Sequence, residues 1–242
     1  MENFSKANRL IYLPFDGKGY FIERKNKFLG LIEFNKKIFE AHIHDPGRLE
    51  KILFKGNEIL FQKNFNPKRK TKYEIIFGKY LDEFILINSK YHNSIAEKLI
   101  SLGYINEIKK LKLIKKEVRI NESKIDFLVI NEEGKEYFIE VKGCTLENEK
   151  VALFPDAPTK RGSRHLKELC NLLEKHKNSI LIFLIFTKQA EYFSPNKEID
   201  KNFYENFINC IKRGLSVYSF RIEYNINDKH LYLSQIIPLK II

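Results

Sequence analysis

The chain is short of cysteine, of long apolar runs and of acidic charge, and each shortage narrows what it can be. Three cysteines, Cys144, Cys170 and Cys210, are odd in number, widely spaced and set in apolar surroundings, with no Cys-x-x-Cys. That excludes a disulfide framework and points to reduced core thiols in a cytoplasmic protein. No apolar stretch reaches membrane-spanning length, and the N-terminus lacks a signal-peptide pattern, so no membrane partner is expected. Internal repeats and low-complexity linkers are missing too. His42 and His44 alternate on one strand face with no third ligand nearby, which argues against zinc. Neither a helix-turn-helix nor a sugar-pocket signature stands out, which leaves a sugar-responsive transcription factor unsupported. The acid deficit is the most informative: 31 acidic residues face 43 basic ones, a net charge of +12. Such a balance favours a polyanionic partner, most plausibly nucleic acid, against the plainer reading of a solvated lysine surface.

What is present suits a chain of one large domain or two ordinary ones, since 242 residues with 43% hydrophobic content can build a proper core. The first third reads as short strands: 20–24, 28–34, 38–43 and 58–61, broken by Gly-Lys, Asn-Lys and Asp-Pro-Gly turns. Closely spaced short strands predict a small barrel, with an OB-fold the natural candidate for a nucleic-acid partner. Arg48, in the tight turn Asp45-Pro46-Gly47-Arg48-Leu49, is either a phosphate contact or a capping charge. Lys63, Lys68, Arg69, Lys70 and Lys72 run with Phe65 and Tyr73 among them and no acid between. That stretch suits single-strand stacking or is an exposed tip. The all-β pattern gives way near Gly78 to Phe84, predicting a barrel over 1–80 and a second domain over 81–242.

The second domain opens on a helix, with Ser94-Ile95-Ala96-Glu97 fitting a capping box and Ile95, Leu99 and Leu102 an apolar stripe. Glu97 is then a cap, or a third acidic ligand. A lysine-flanked strand is expected within 111–120. Residues 163–175 read as a helix with Leu166, Leu169, Cys170, Leu172 and Leu173 inward. Arg161, Arg164 and Lys167 stand at its start, where a phosphate can be met. The run 180–186 is a strand buried on both faces. Between these lies the decisive stretch. Lys124 to Ile130 and Glu136 to Lys142 are apolar arms joined by the polar Asn131-Glu132-Glu133-Gly134-Lys135, which predicts an antiparallel hairpin. Pairing Ile130 with Glu136 sets Asp126 opposite Glu140, with Cβ atoms about 5 Å apart. Lys142 emerges on the face of Glu140. Two facing carboxylates repel and are costly to bury unpaired, and a divalent cation such as Mg²⁺ relieves both problems. The alternative is a surface ion pair neutralised by Lys142. The order helix, strand, hairpin, helix, buried strand gives a mixed sheet with helices on both sides.

This order resembles the restriction-endonuclease-like core with its PD-(D/E)xK signature. More narrowly, the chain resembles the sugar fermentation stimulation protein A family over nearly its whole length. The stretches that carry the likeness are 154–169 (FPDAPTKRGSRHLKEL), 41–49 (AHIHDPGRL), Ser123 to Phe127, Glu140-Val141-Lys142 and Ile199-Asp200. Asp45 stands where asparagine is usual, and Lys27 and Lys124 where arginine is usual; lysine keeps the charge but loses the bidentate fork. The resemblance implies an N-terminal OB-fold-like domain, a C-terminal nuclease-like domain and sequence-nonspecific binding of single- or double-stranded DNA. It places the nuclease motif on Asp126, Glu140 and Lys142; Asp126 and Glu140, joined by Glu97 if that residue is the third acidic ligand rather than a cap, would hold Mg²⁺ or Mn²⁺. Arg24, Arg48, Lys68, Arg69, Lys70, Arg161, Arg164 and His165 would meet the nucleic acid, His165 being otherwise a packed, hydrogen-bonded histidine. The expected activity is metal-assisted phosphodiester hydrolysis. The alternative is a non-catalytic DNA-binding regulator of sugar (maltose) metabolism on a nuclease-derived fold. Self-association into a homo-oligomer is left open.

Overall fold

The computed structural model describes residues 5–242. Its elements are β1 (Arg9–Tyr12), β2 (Gly17–Asn26), β3 (Leu29–Phe34), β4 (Lys37–His42), β5 (Glu58–Lys63), β6 (Tyr73–Tyr80), β7 (Glu83–Leu86), α1 (His92–Ser101), β8 (Leu111–Ile120), β9 (Ser123–Asn131), β10 (Glu136–Cys144), β11 (Leu146–Asn148), β12 (Val151–Phe154), α2 (Lys160–Glu174), β13 (Asn178–Ile185), β14 (Tyr192–Pro195), α3 (Lys201–Lys212), β15 (Ser216–Asn225) and β16 (His230–Ile236).

Strands β2 to β7 form one sheet in the order β4-β3-β2-β5-β6-β7, and a parallel pairing of β4 with β6 at Ala41↔Tyr73 and His42↔Glu74 closes it into a barrel. Inward positions alternate with outward ones, so Phe21, Ile32, Ala41, Ile59, Phe61 and Ile75 fill the interior, while a bulge in the β5–β6 pairing turns Phe77 outward on the face of Leu60. This is the expected OB-like barrel. The first strand leaves it: β1 pairs antiparallel with β16 at the edge of the second sheet. Barrel and second sheet share one apolar cluster, in which Phe77 of the barrel stacks on Tyr224 of β15 with ring centroids 3.9 Å apart.

The second sheet has the order β1-β16-β15-β13-β10-β9-β8, with β10, β13 and β15 mutually parallel and the remaining pairs antiparallel. β13 is central and buried from Ser179 to Ile185, as its unbroken apolar run predicts. Ile139, Val141, Ile180 and Ile182 face α1 and the barrel, while Phe138, Leu181, Phe183 and Ile185 face α2 and α3. Helices therefore lie on both faces, and the fold is an OB-like barrel followed by a mixed sheet with helices. β8 closes the far edge and is blunted by exposed Lys112, Lys115 and Lys116. The three cysteines are buried and free. Among the described residues no helix is long and apolar enough to cross a membrane.

Two local expectations are corrected. Ser94 is not the N-cap of α1: the helix starts at His92, and Tyr91 precedes it without a side-chain cap. The short 3-10 turn Ser89–Tyr91, capped by the Asn88 side chain accepting from Lys90 N–H, already sets the chain direction, so Ser94 falls inside the helix. Leu102 is exposed, being the residue after the helix; Ile95, Ala96, Leu99 and Ile100 make the buried face instead.

Candidate active site

The hairpin β9–β10 is built from its turn outward. Gly134 has φ +78, a left-handed conformation that suits glycine, and the Asn131 side chain accepts from Lys135 N–H. This turn sets the register Glu136↔Ile130, Tyr137↔Val129, Phe138↔Leu128, Ile139↔Phe127. The ladder runs as the sequence predicts, but ends one step before Asp126 and Glu140. Strict alternation breaks there, because Phe127 packs on the α1 side and Ile125 on the α2–α3 side. The Asp126 carboxylate takes over from the missing backbone pairs. Its Oδ2 accepts from Val141 N–H at 2.8 Å, and its Oδ1 from Asn93 Nδ2, at the start of α1, at 3.0 Å.

Glu140 lies 2% exposed beneath α2. Its Oε1 accepts from Lys142 Nζ at 2.6 Å and from the ring Nδ1–H of His165, the tautomer that an acceptor-only carboxylate requires. Its Oε2 is buried with no hydrogen-bond partner. Burial pushes the Glu140 carboxyl up, yet Lys142 and His165 together outweigh it and hold it below the usual glutamate range. Asp126 moves the other way: burial and the charge of Glu140 raise it, against the Val141 and Asn93 hydrogen bonds and the charge of Lys142. One carboxylate is thus firmly ionised, and its neighbour is destabilised by that charge. An added cation would favour both charged forms.

His165 reaches Glu140 because α2 begins at a fixed point. The Thr159 hydroxyl accepts from Gly162 N–H, and Asp200, which caps α3 through Phe203 N–H, also accepts from Thr159 N–H at 2.8 Å. The matched Ile199-Asp200 stretch is explained by this joint. Arg161 and Arg164 leave the same turn exposed, without an acidic partner among the described residues.

Other sequence-chosen residues land differently. Glu97 turns away and pairs with Lys116 of β8 at 2.7 Å. Among the described residues no group of three or more His, Cys, Asp or Glu converges, so the acidic donors at the hairpin are Asp126 and Glu140. Arg24 is half-buried and donates to the carbonyls of Gly47, Arg48, Lys27 and Asp45, stapling the 45–48 turn rather than facing outward. Arg69 pairs with the buried Glu74 at 3.6 Å, whereas Lys68 and Lys70 project from the exposed β5–β6 loop. Arg48 is exposed, and its N–H donates to Asp156 across the two domains. It borders a cleft of about 170 Å³ with Thr145 and Ile199.

Sequence reasoning missed Asn93, His92 and Asp156. His92 packs flat over Gly143, where a Cβ would meet its ring at 2.1 Å, and stacks on Phe186 at 5.3 Å. Burial lowers its pKa to about 3, with His44 and Lys142 adding to the effect. The one signal was local: Tyr91-His92-Asn93 is a polar, aromatic run where a surface helix ordinarily starts.

Comparison with known proteins places these residues in context. The family model "Sugar fermentation stimulation protein RE domain" matches residues 90–228, and "SfsA N-terminal OB domain" matches 22–87. A sugar fermentation stimulation protein homolog from Thermosipho melanesiensis is 42% identical over 199 residues, 82% of this chain and 84% of that one. Another from Methanococcoides burtonii is 36% identical over 233 residues, 94% of this chain and 93% of that one. Among solved structures, that of Pyrococcus furiosus SfsA in complex with Ca²⁺ superposes with a TM-score of 0.88 at 25% identity, covering 96% of this chain and 99% of that one.

Proposed function

The chain belongs to the sugar fermentation stimulation protein family, and on that footing we propose that it binds DNA without sequence preference and hydrolyses phosphodiester bonds at the β9–β10 hairpin. The observation that carries the proposal is Glu140: buried, held ionised from one side, with an oxygen left without a donor. A buried carboxylate oxygen in that state is costly unless a cation takes it. Mg²⁺ is commonly held by one or two carboxylates plus substrate oxygens, so the pair Asp126 and Glu140 fits it, or Mn²⁺, without Glu97. Pyrococcus furiosus SfsA was solved in complex with Ca²⁺, a hard oxygen-seeking cation, which supports the same donor chemistry.

When bound, such a cation lowers the pKa of a coordinated water and polarises the phosphate. The chain's own groups do the rest. Lys142 neutralises Glu140 and offers its ammonium protons to a phosphate oxygen or the attacking water. His165 fixes the Glu140 carboxylate by donating to Oε1, which leaves Oε2 free. Asn93 and Val141 N–H hold Asp126 in place. Arg161 and Arg164, at the N-terminal turn of α2, and the exposed Arg48, Lys68 and Lys70 supply phosphate contacts, so binding should weaken steeply with salt.

The test is incubation of linear duplex and single-stranded DNA with Mg²⁺ or Mn²⁺. The wild type should cleave. Glu140→Gln and Lys142→Met should each lower the rate by about 10²–10³-fold or more, with DNA binding in EDTA retained. Tight binding with no cleavage under any divalent ion would overturn the nuclease and leave a non-catalytic DNA-binding protein.

A further inference from the structure

The barrel carries a line of rings that the catalytic proposal does not use. Phe28, at the β2–β3 turn, is 50% exposed and lies against His42 with centroids 6.4 Å apart and planes 22° from parallel. His42 meets His44 edge-on at 5.7 Å, and His44 Nδ1 lies 2.8 Å from Ser89 Oγ, in the turn that opens α1. His92, three residues on, packs its ring against Gly143, the neighbour of Lys142, and the adjacent Asn93 donates to Asp126. The line therefore starts at the barrel surface and ends beside the hairpin site.

Cations flank it. His42 sits opposite Glu74 across the barrel seam, and the Glu74 carboxylate is shared by Arg69 and Lys90, each at 3.6 Å. That acid is 2% exposed and already neutralised by two positive groups, so the surface beside the rings remains basic. Lys27 stands next to Phe28, exposed and without an acidic partner among the described residues. An exposed phenylalanine followed by two half-buried histidines, with cations alongside, suits bases whose faces are free. Paired bases in a duplex present edges and phosphates rather than faces, and cannot use such a line.

Resting on the hairpin site as the reaction centre, we propose that Phe28, His42 and His44 form a stacking track that takes an unpaired polynucleotide end, with Arg69 and Lys90 on its phosphates, and leads it to Glu140 and Lys142. The preferred substrate is then a single strand or a frayed end rather than an intact duplex.

The test is fluorescence anisotropy in EDTA with a labelled oligodeoxythymidine of about 15 nucleotides and a duplex of equal length. The wild type should bind the single strand more tightly. Phe28→Leu, which keeps apolar bulk but removes the ring, should weaken single-strand binding about tenfold and leave duplex binding within about twofold. Phe28→Trp should restore it, and both variants should melt with the wild type because the site is exposed. His42→Leu should act in the same direction. Equal losses on duplex and single strand, or no loss with either variant, would overturn the track. Because no metal is present, the outcome is independent of cleavage: a protein that binds single strands through Phe28 but never cuts keeps the track and loses the nuclease. One that cuts duplex DNA without using Phe28 does the reverse.

Discussion

Replacing Lys142 by Met tests the electrostatics of the site without any substrate. In the wild type the Glu140 carboxyl titrates below its unfolded value of about 4.3. The sign follows from that direction. Glu140 contributes stability above the unfolded pKa, and the contribution is lost as pH falls through the lower folded value. Without Lys142, burial, the largest single influence on Glu140, is opposed chiefly by His165, and a buried charge is left under-compensated. Breaking a buried ion pair from one side costs about 3–5 kcal/mol. At about 2–4 °C per kcal/mol for a chain of this size, the melting temperature at pH 7.5 should fall by about 6–20 °C. The folded-state pKa of Glu140 then rises, so the variant recovers on acidification and the gap to wild type narrows by pH 5. The double variant Glu140→Gln with Lys142→Met removes both charges and should regain most of the loss. Thermal unfolding followed by circular dichroism at the two pH values reads all of this. A drop below about 2 °C at pH 7.5, or a gap that widens at pH 5, would refute an ionised Glu140 sustained by Lys142.

Gly143→Ala should destabilise by about 1–3 kcal/mol in urea unfolding, because the new methyl meets the His92 ring at 2.1 Å and His92 is wedged against Phe186. Arg24→Met should lower stability while leaving the salt dependence of DNA binding unchanged, since its guanidinium serves four backbone carbonyls; Arg161→Ala and Arg164→Ala should each reduce the slope of log affinity against log salt by about 1 at near-constant stability. Asp45 is pushed up to about 6 by burial and by Asp156, so its ionised form is a burden above pH 6 that is relieved as pH falls toward its unfolded value. Asp45→Asn keeps an oxygen for Gly47 N–H and should stabilise by about 1–2 kcal/mol at pH 7.5, with the benefit vanishing near pH 4; equal gains at both pH values would count against it.

How much was legible beforehand depends on how far each partner lies along the chain. The register of β9 on β10 is set by a five-residue turn and two period-two strands, so the pairing from Ile130↔Glu136 to Phe127↔Ile139, which leads up to Asp126 and Glu140, was legible from spacing. The end of the ladder at Phe127 was not, because it needs Ile125 to be drawn into the α2–α3 core. Arg24 looked like any exposed arginine on a strand, and its four carbonyl partners appear only once the 45–48 turn folds back over β2. Ser94 matched a cap by residue type, but the 3-10 turn before it had already started the helix.

By itself, the order of residues determined the barrel, the mixed sheet, the hairpin and the identity of its charged residues, since those follow from periodicity, turn chemistry and charge within a few neighbours. Only the tertiary structure decided that His165, Lys142 and Glu140 share one oxygen, that Asn93 steadies Asp126, and that Glu97 turns to Lys116. Those outcomes depend on how α1 and α2 dock on opposite faces of the sheet, and docking is chosen by the summed burial of many distant side chains rather than by any local pattern.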